Sequence, residues 1–159
     1  PLAMARQLKR VESYIEKGVL EGATLVTGGK RPQGLDAGYY IEPTLFANVD
    51  NDMTIAQEEI FGPVLCVIPY TDEADAIRIA NASSFGLFGA VLTNDNAKAY
   101  KIARSIRTGA YAQNGLRLDY FLPFGGFKQS GIGREGGISG LKGYTETKTI
   151  LLNEIPAGM

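Results

Sequence analysis

The pattern of this chain predicts an α/β fold, with helices packed on a mostly parallel sheet. Three observations carry that expectation: an apolar stripe at helical spacing near the start, a strand-to-helix unit that occurs twice in succession, and a composition able to build a core. Hydrophobic residues make up 45% of the 159 positions and charged residues 21%, both ordinary for globular proteins. The length suits one domain, or one domain with a short appendage, and a first residue of Pro suggests a start inside a longer chain.

The elements follow in order. Leu8, Val11, Ile15 and Val19 recur in steps of three and four and predict a helix within Leu2–Glu21, stopped by Gly22. Ala23–Thr27 is a short strand candidate, and the Gly28–Gly34 run after it is a surface loop by composition. Tyr39–Val49 is aromatic and β-branched but contains Pro43, which predicts an extended segment at a sheet edge. Val64–Ile68 is continuously apolar, the signature of a strand buried on both faces. Thr71 or Asp72 can cap the helix that follows, with Glu73 and Asp75 favourable in its first turn. The unit recurs: Gly89–Thr93 is strand-like, Asn94 or Asp95 can cap, and Ala99, Ile102, Ala103 and Ile106 form a stripe that Gly109 ends. Ala110–Gln113 resumes as a strand. Beyond Asn114 the pattern is loop chemistry until Thr147–Ile155, where Thr, Ile and Leu predict a terminal strand in need of a partner.

Composition also excludes function classes. Lys+Arg 16 against Asp+Glu 17, with no long block of one sign, lacks the electrostatic footprint of a nucleic-acid or anionic-membrane partner. No apolar run approaches the roughly 18 residues of a membrane span, and the first residues lack the apolar core of a secretory signal. The expectation is a soluble, cytoplasmic protein. The absence of His and the single Cys leave no imidazole base, no internal disulfide and no clustered zinc ligands. Cys66, embedded in an apolar strand, is expected to be an inert small hydrophobe. Asn81-Ala82-Ser83 has the form of a glycosylation sequon, which carries no weight without a secretory signal.

Glycine is the compositional outlier, with 20 residues, eight of them between Gly125 and Gly143. Gly131-Ile-Gly133-Arg-Glu-Gly136 matches a dinucleotide fingerprint in letters. Its context does not match, because Phe127–Ser130 before it is not a hydrophobic strand and Gly137–Gly140 after it is a poor helix opening. A loop of close-packed backbone is expected instead. Glu58-Glu59-Ile60-Phe61-Gly62-Pro63 is more informative. A carboxylate held there can accept two hydrogen bonds from the vicinal hydroxyls of a ribose. Phe61 can offer a flat apolar surface to an adjacent ring.

Taken in order and spacing, Glu58–Pro63, the lone Asn114 after a strand, and the run from Pro123 to Glu135 resemble the NAD(P)-dependent aldehyde dehydrogenase superfamily. The similarity runs through essentially the whole chain, which corresponds to about the final third of a usual member. The resemblance implies a partial catalytic domain of the aldehyde dehydrogenase fold over residues 1–143 and an oligomerisation tail over 144–159. It implies that Glu59 holds the nicotinamide ribose of NAD or NADP and that Phe61 lies beside the nicotinamide. Asn114 matches an asparagine near the active-site end of the domain, Leu116 to Tyr120 looks like the variable loop that shapes substrate choice, and Phe124 resembles an aromatic lining the aldehyde tunnel. Leu116, Tyr120 and Phe124 are thus the candidate substrate contacts, and Lys148 to Ile155 resembles a strand that pairs with a neighbouring subunit to make a homo-oligomer.

In that family the nucleophilic cysteine, its oxyanion partner, the general-base glutamate and the Rossmann-type cofactor domain lie before the matching segment. Cys66 is not at the nucleophile position and neither Glu58 nor Glu59 is at that of the base. No catalytic residue and no metal ligand is therefore expected here, and the chain alone is expected to be inactive and not to bind the cofactor measurably. A second expectation, of a different class, is a non-catalytic structural or interaction module of the same fold.

Overall fold

The computed structural model describes every residue except Asp36, Leu118 and Met159. The chain folds as two compact units, Pro1–Ser84 and Phe85–Met159. Helices and short strands alternate in both, as the α/β expectation requires. Among the described residues the strand pairings are divided equally between parallel and antiparallel, in three small sheets.

The first unit opens with α1 (Ala5–Leu20), whose buried face is Leu8, Val11, Tyr14, Ile15 and Gly18. Val19, expected on that face, is 49% exposed. Its place is taken by Gly18, where a Cβ would stand 2.9 Å from Ile55 and 3.1 Å from Phe46. The helix ends as Gly22 predicts. With φ at 96°, Gly22 lets its own N–H reach the Val19 carbonyl while the Ala23 N–H reaches that of Gly18, a Schellman closure. Glu21 then caps the next helix, its carboxylate accepting from the Thr54 N–H at 2.7 Å.

Strands β1 (Thr24–Thr27), β2 (Thr44–Ala47) and β3 (Val64–Cys66) form a sheet in that spatial order, with β1 antiparallel and β3 parallel to β2. Helix α2 (Thr54–Gln57) lies in the β2–β3 crossover, and α3 (Glu73–Ala82) closes the unit. Two expectations are corrected here. The segment containing Pro43 is the central strand, not an edge, because Pro43 falls just outside β2, and the first ladder donor, the Thr44 N–H, bonds the Pro63 carbonyl at 2.8 Å. The Val64–Ile68 run is not buried on both faces: β3 is an edge strand, and Leu65 and Val67 are 63% and 47% exposed. The core gathers Val11, Tyr14, Ile15, Phe46, Val49, Ile55 and Ile60 between α1, α2 and one face of the sheet. Asp72 caps α3 through the Asp75 N–H at 2.8 Å, the second of the two candidates.

The second unit holds β4 (Phe85–Gly86), β5 (Phe88–Val91), α4 (Asn96–Ser105), β6 (Ala110–Gln113), β7 (Phe127–Lys128) and α5 (Gly137–Lys142). Strands β5 and β6 pair in parallel around α4, the βαβ unit that the alternation predicts, and β4 pairs antiparallel with β7. Asp95 caps α4 by accepting from the Lys98 N–H at 3.0 Å, and Ala99 and Ile102 are buried. The helix ends at Ser105, before Gly109. Gly109 serves a different purpose, since a Cβ there would strike the Gly125 carbonyl.

Two further corrections concern the end of the chain. Helix α5 follows the Gly131–Gly136 run, with Gly136 at its N-cap, where no helix was expected. Residues 144–158 carry neither helix nor strand and are exposed, so the expected Thr147–Ile155 strand is not formed within the chain. Strand hydrogen bonds need a neighbouring backbone, and the chain folds without offering one to this segment.

Candidate functional site

The sequence-predicted residues fall in both units, Glu59 and Phe61 in the first, Asn114, Leu116, Tyr120 and Phe124 in the second. In the first, α2 stops at Gln57 because Glu58 turns to extended backbone, with φ −111° and ψ 148°. Ile60 is 8% exposed and roots the following segment in the core. Gly62 packs on Val11, where any Cβ would collide with the valine side chain. Between these anchors the side chains of Glu59 and Phe61 are left outward.

Phe61 is 74% exposed and takes φ 58°, left-handed backbone that costs a bulky residue about 1–2 kcal/mol. Strain of this kind persists where surrounding contacts impose it, and it concentrates at functional sites. The surrounding contacts are on α1. Arg10 donates from Nη2 to the Glu59 carbonyl at 2.6 Å. Gln7 donates from Nε2 to the Ile60 carbonyl at 3.1 Å and to that of Phe61 at 2.6 Å. The Glu59 carboxylate is exposed and has no hydrogen-bond partner among the described residues. A free carboxylate two residues from an outward aromatic ring offers the acceptor pair and flat surface that a ribose diol and its attached ring require.

Its neighbour Glu58 is differently employed. Its Oε2 accepts from the Tyr14 hydroxyl at 2.6 Å, and Tyr14 lies under the Arg10 guanidinium at 4.8 Å and the Lys17 ammonium at 5.2 Å. The hydrogen bond to Glu58, and then burial, hold the Tyr14 hydroxyl above its ordinary value of 10.0, against the pull of Arg10. Cys66 is half-buried, with Sγ donating to the Ile55 carbonyl at 3.5 Å. Burial pushes its thiol up, which favours the unreactive form.

In the second unit, Asn114 is not aimed at open space. Its Oδ1 accepts from the Thr93 N–H at 2.8 Å and its Nδ2 donates to the Thr93 carbonyl at 2.9 Å. With φ 57°, it locks the ends of β5 and β6. The segment after it presents Leu116, 71% exposed, and Tyr120, 90% exposed, while Phe124 is half-buried. Leu118, within the expected substrate loop, lies outside the described residues. The glycine run braces this segment. Phe124 and Glu135 exchange backbone hydrogen bonds at 2.7 and 2.8 Å, and the Gly137 N–H reaches the Tyr120 carbonyl. A Cβ on Gly136 or Gly137 would stand 2.7 Å from the Leu122 carbonyl or 2.6 Å from that of Phe121. Arg134 staples the loop through the carbonyls of Gly126 and Gly133, with its guanidinium 5.3 Å from the Phe127 ring. The fingerprint-like run is therefore a backbone brace.

The sequence missed Gln7, Arg10 and Tyr14 as parts of this architecture. Their only advance signal was i, i+3 and i, i+4 spacing along α1, which many exposed helix faces share.

Residues 1–150 match the profile of the Aldehyde dehydrogenase family. The chain belongs to the aldehyde dehydrogenase family. Among curated relatives of this chain, 3-succinoylsemialdehyde-pyridine dehydrogenase from a Pseudomonas species is 49% identical over 152 residues, which cover 95% of the chain and 32% of the relative. Among solved structures, Mycobacterium tuberculosis aldehyde dehydrogenase complexed with NAD+ superposes with a TM-score of 0.94 at 57% identity, over 100% of the chain and 32% of that protein. The NAD+ complex of the Bacillus cereus aldehyde dehydrogenase gives 0.91 at 44% identity, over 96% and 31%. The chain thus spans about a third of the length of the relatives it matches. Among the described residues no helix is long and apolar enough to cross a membrane, and no group of three or more acidic, Cys or His side chains is placed to hold a metal.

Proposed function

We propose that this chain is the C-terminal part of an NAD(P)-dependent aldehyde dehydrogenase, in which Glu59 holds the nicotinamide ribose and Phe61 flanks the nicotinamide. The observation that carries this reading is the pairing of an unengaged Glu59 carboxylate with an outward Phe61 in strained backbone. When bound, the cofactor supplies the hydride acceptor for an aldehyde that leaves as a carboxylic acid. Leu116, Tyr120 and Phe124 form part of the aldehyde tunnel, residues 1–143 belong to the catalytic domain, and 148–155 pair with another subunit in a homo-oligomer. The chain itself supplies no nucleophile, since its single thiol is tied to the Ile55 carbonyl and pushed toward the neutral form. The whole enzyme's cysteine and base come from polypeptide outside these residues.

A hybrid tests the reading: the M. tuberculosis enzyme with this chain in place of its matching third. Glu59→Gln in that hybrid should slow single-turnover hydride transfer roughly tenfold or more, while aldehyde binding stays within about twofold. An unchanged hydride step would return Glu59 to the role of a solvated turn residue.

A further inference from the structure

From the geometry at the end of β6 we infer that Asn114-Gly115 is a modification site, at which the Asn114 amide is lost spontaneously through a succinimide to leave aspartate or isoaspartate. Asparagine is among the thermolabile residues, and the reaction needs a main-chain nitrogen able to reach the side-chain carbonyl carbon. Here that nitrogen belongs to Gly115. It has no side chain to obstruct the approach, and a Cβ built there would meet nothing within 4 Å. Both residues are exposed, so water and a solvent base have access. The Gly115 N–H has no hydrogen-bond partner among the described residues. No contact has to break to free the nucleophile. Of all the asparagines in the sequence, Asn114 is the one followed by glycine.

The fold prepares the attacked carbon as well. Asn114 Oδ1 accepts from the Thr93 N–H at 2.8 Å, so a donor already faces the oxygen on which negative charge develops when Cγ is attacked. The contact that opposes reaction runs from Nδ2 to the Thr93 carbonyl at 2.9 Å. It is a single exposed bond, and breaking one slows the reaction by no more than roughly tenfold. In the first step the Gly115 nitrogen gives its proton to solvent base and bonds to Asn114 Cγ. The Cγ–Nδ2 bond breaks, and Nδ2 takes up a proton and leaves as ammonia. Water then opens the ring. Cleavage at Cγ gives aspartate, and cleavage at the Asn114 main-chain carbonyl carbon gives isoaspartate, whose backbone runs through Cγ. Nothing is oxidised or reduced. Either product puts a carboxylate oxygen where the Nδ2 donor stood, and the Thr93 carbonyl repels it, so the lock between β5 and β6 opens.

The test incubates the full chain, folded and in guanidinium, in mildly alkaline buffer at physiological temperature. Protection of the β2 amides from hydrogen exchange certifies the folded sample. Peptide mapping should show a gain of about 1 Da at Asn114, and an isoaspartyl methyltransferase should label the same peptide. Conversion in the folded chain should proceed within about tenfold of the rate in guanidinium. The other asparagines, none followed by glycine, should keep their masses over that interval. Folded conversion slower than this bound overturns the inference, because the hydrogen bonds to Thr93 then protect the amide. Conversion spread equally over the other asparagines overturns it too, since the site would then have no special standing. Asn114→Asp tests the consequence without waiting for the chemistry. The Thr93 and Asn114 amides are hydrogen-bonded in the parent, and their exchange should rise about fivefold or more in this variant, while the β2 amides stay protected. Parental exchange at both positions overturns the opening of the lock.

Discussion

At Phe61 a single residue carries both strain and the proposed function. With φ 58° and the side chain 74% exposed, the ring contributes little burial to set against its backbone cost. Glycine suits that backbone and alanine does not, so Phe61→Gly should be more stable than Phe61→Ala by about 1 kcal/mol, reversing their usual order. Urea unfolding of the two variants measures the difference. Tyr14 makes the second residue-scale case. Its hydroxyl and that of Tyr111 are both held above 10.0, the first mainly by Glu58 and the second by burial. Each therefore ionises later in the folded chain than in the unfolded one. Their contribution to stability is whole below pH 10.0 and is lost as the pH rises through the folded-state values. Tyr14→Phe should make that alkaline loss shallower and reduce stability near neutrality by about 1 kcal/mol, as denaturant titrations across the range will show. Neither effect was legible in the sequence, because both depend on a partner far along the chain.

Among the elements, the β5–β6 pair shows how a legible residue can carry an unexpected role. Asn114 stood out as a lone amide after a strand, and its place in the family pattern suggested the active-site end. Its amide bonds both backbone groups of Thr93. Asn114→Ala should destabilise the second unit by about 1 kcal/mol, since it removes two exposed hydrogen bonds to Thr93, whose carbonyl keeps the Gln113 amide, and leaves a non-glycine residue in left-handed backbone. Asn114→Gly should recover only the conformational part, and hydrogen exchange at the β5–β6 ends will separate the two. The caps at Asp72 and Asp95 were legible because a cap is local: donor and acceptor lie three residues apart. The exposure of β3 was not, since an apolar strand has the same letters at an edge as in the middle of a sheet.

For the molecule as a whole, the tail is the feature that its own chain leaves unfinished. Ile150, Leu151, Leu152 and Ile155 are 66%, 91%, 60% and 83% exposed, four apolar side chains within six residues of a segment that is neither helix nor strand. The purified chain should therefore associate, giving a dimer or larger species by light scattering, and Leu151→Lys should shift it toward monomer. A monomer unaffected by concentration would refute the pairing role of 148–155. The division into two compact units was not foreseen either, since the length suggested one domain. Composition does not report which long-range contacts are dense.

What the sequence by itself determined is what short-range chemistry decides: the reach of α1 and its Gly22 stop, the caps of α3 and α4, the alternation of strands and helices, and the Glu59 and Phe61 pair within a family pattern. Tertiary structure alone decided which strand is central, why the glycines are dense, and how the site loop is held. The bonds from Gln7 and Arg10 to the site loop join residues 49 to 54 positions apart. Glycines 136 and 137 answer to the carbonyls of 121 and 122 and not to their own neighbours. Hydrogen bonds and steric limits of that range depend on where the folded backbone returns to itself, a property that no local window of side chains encodes.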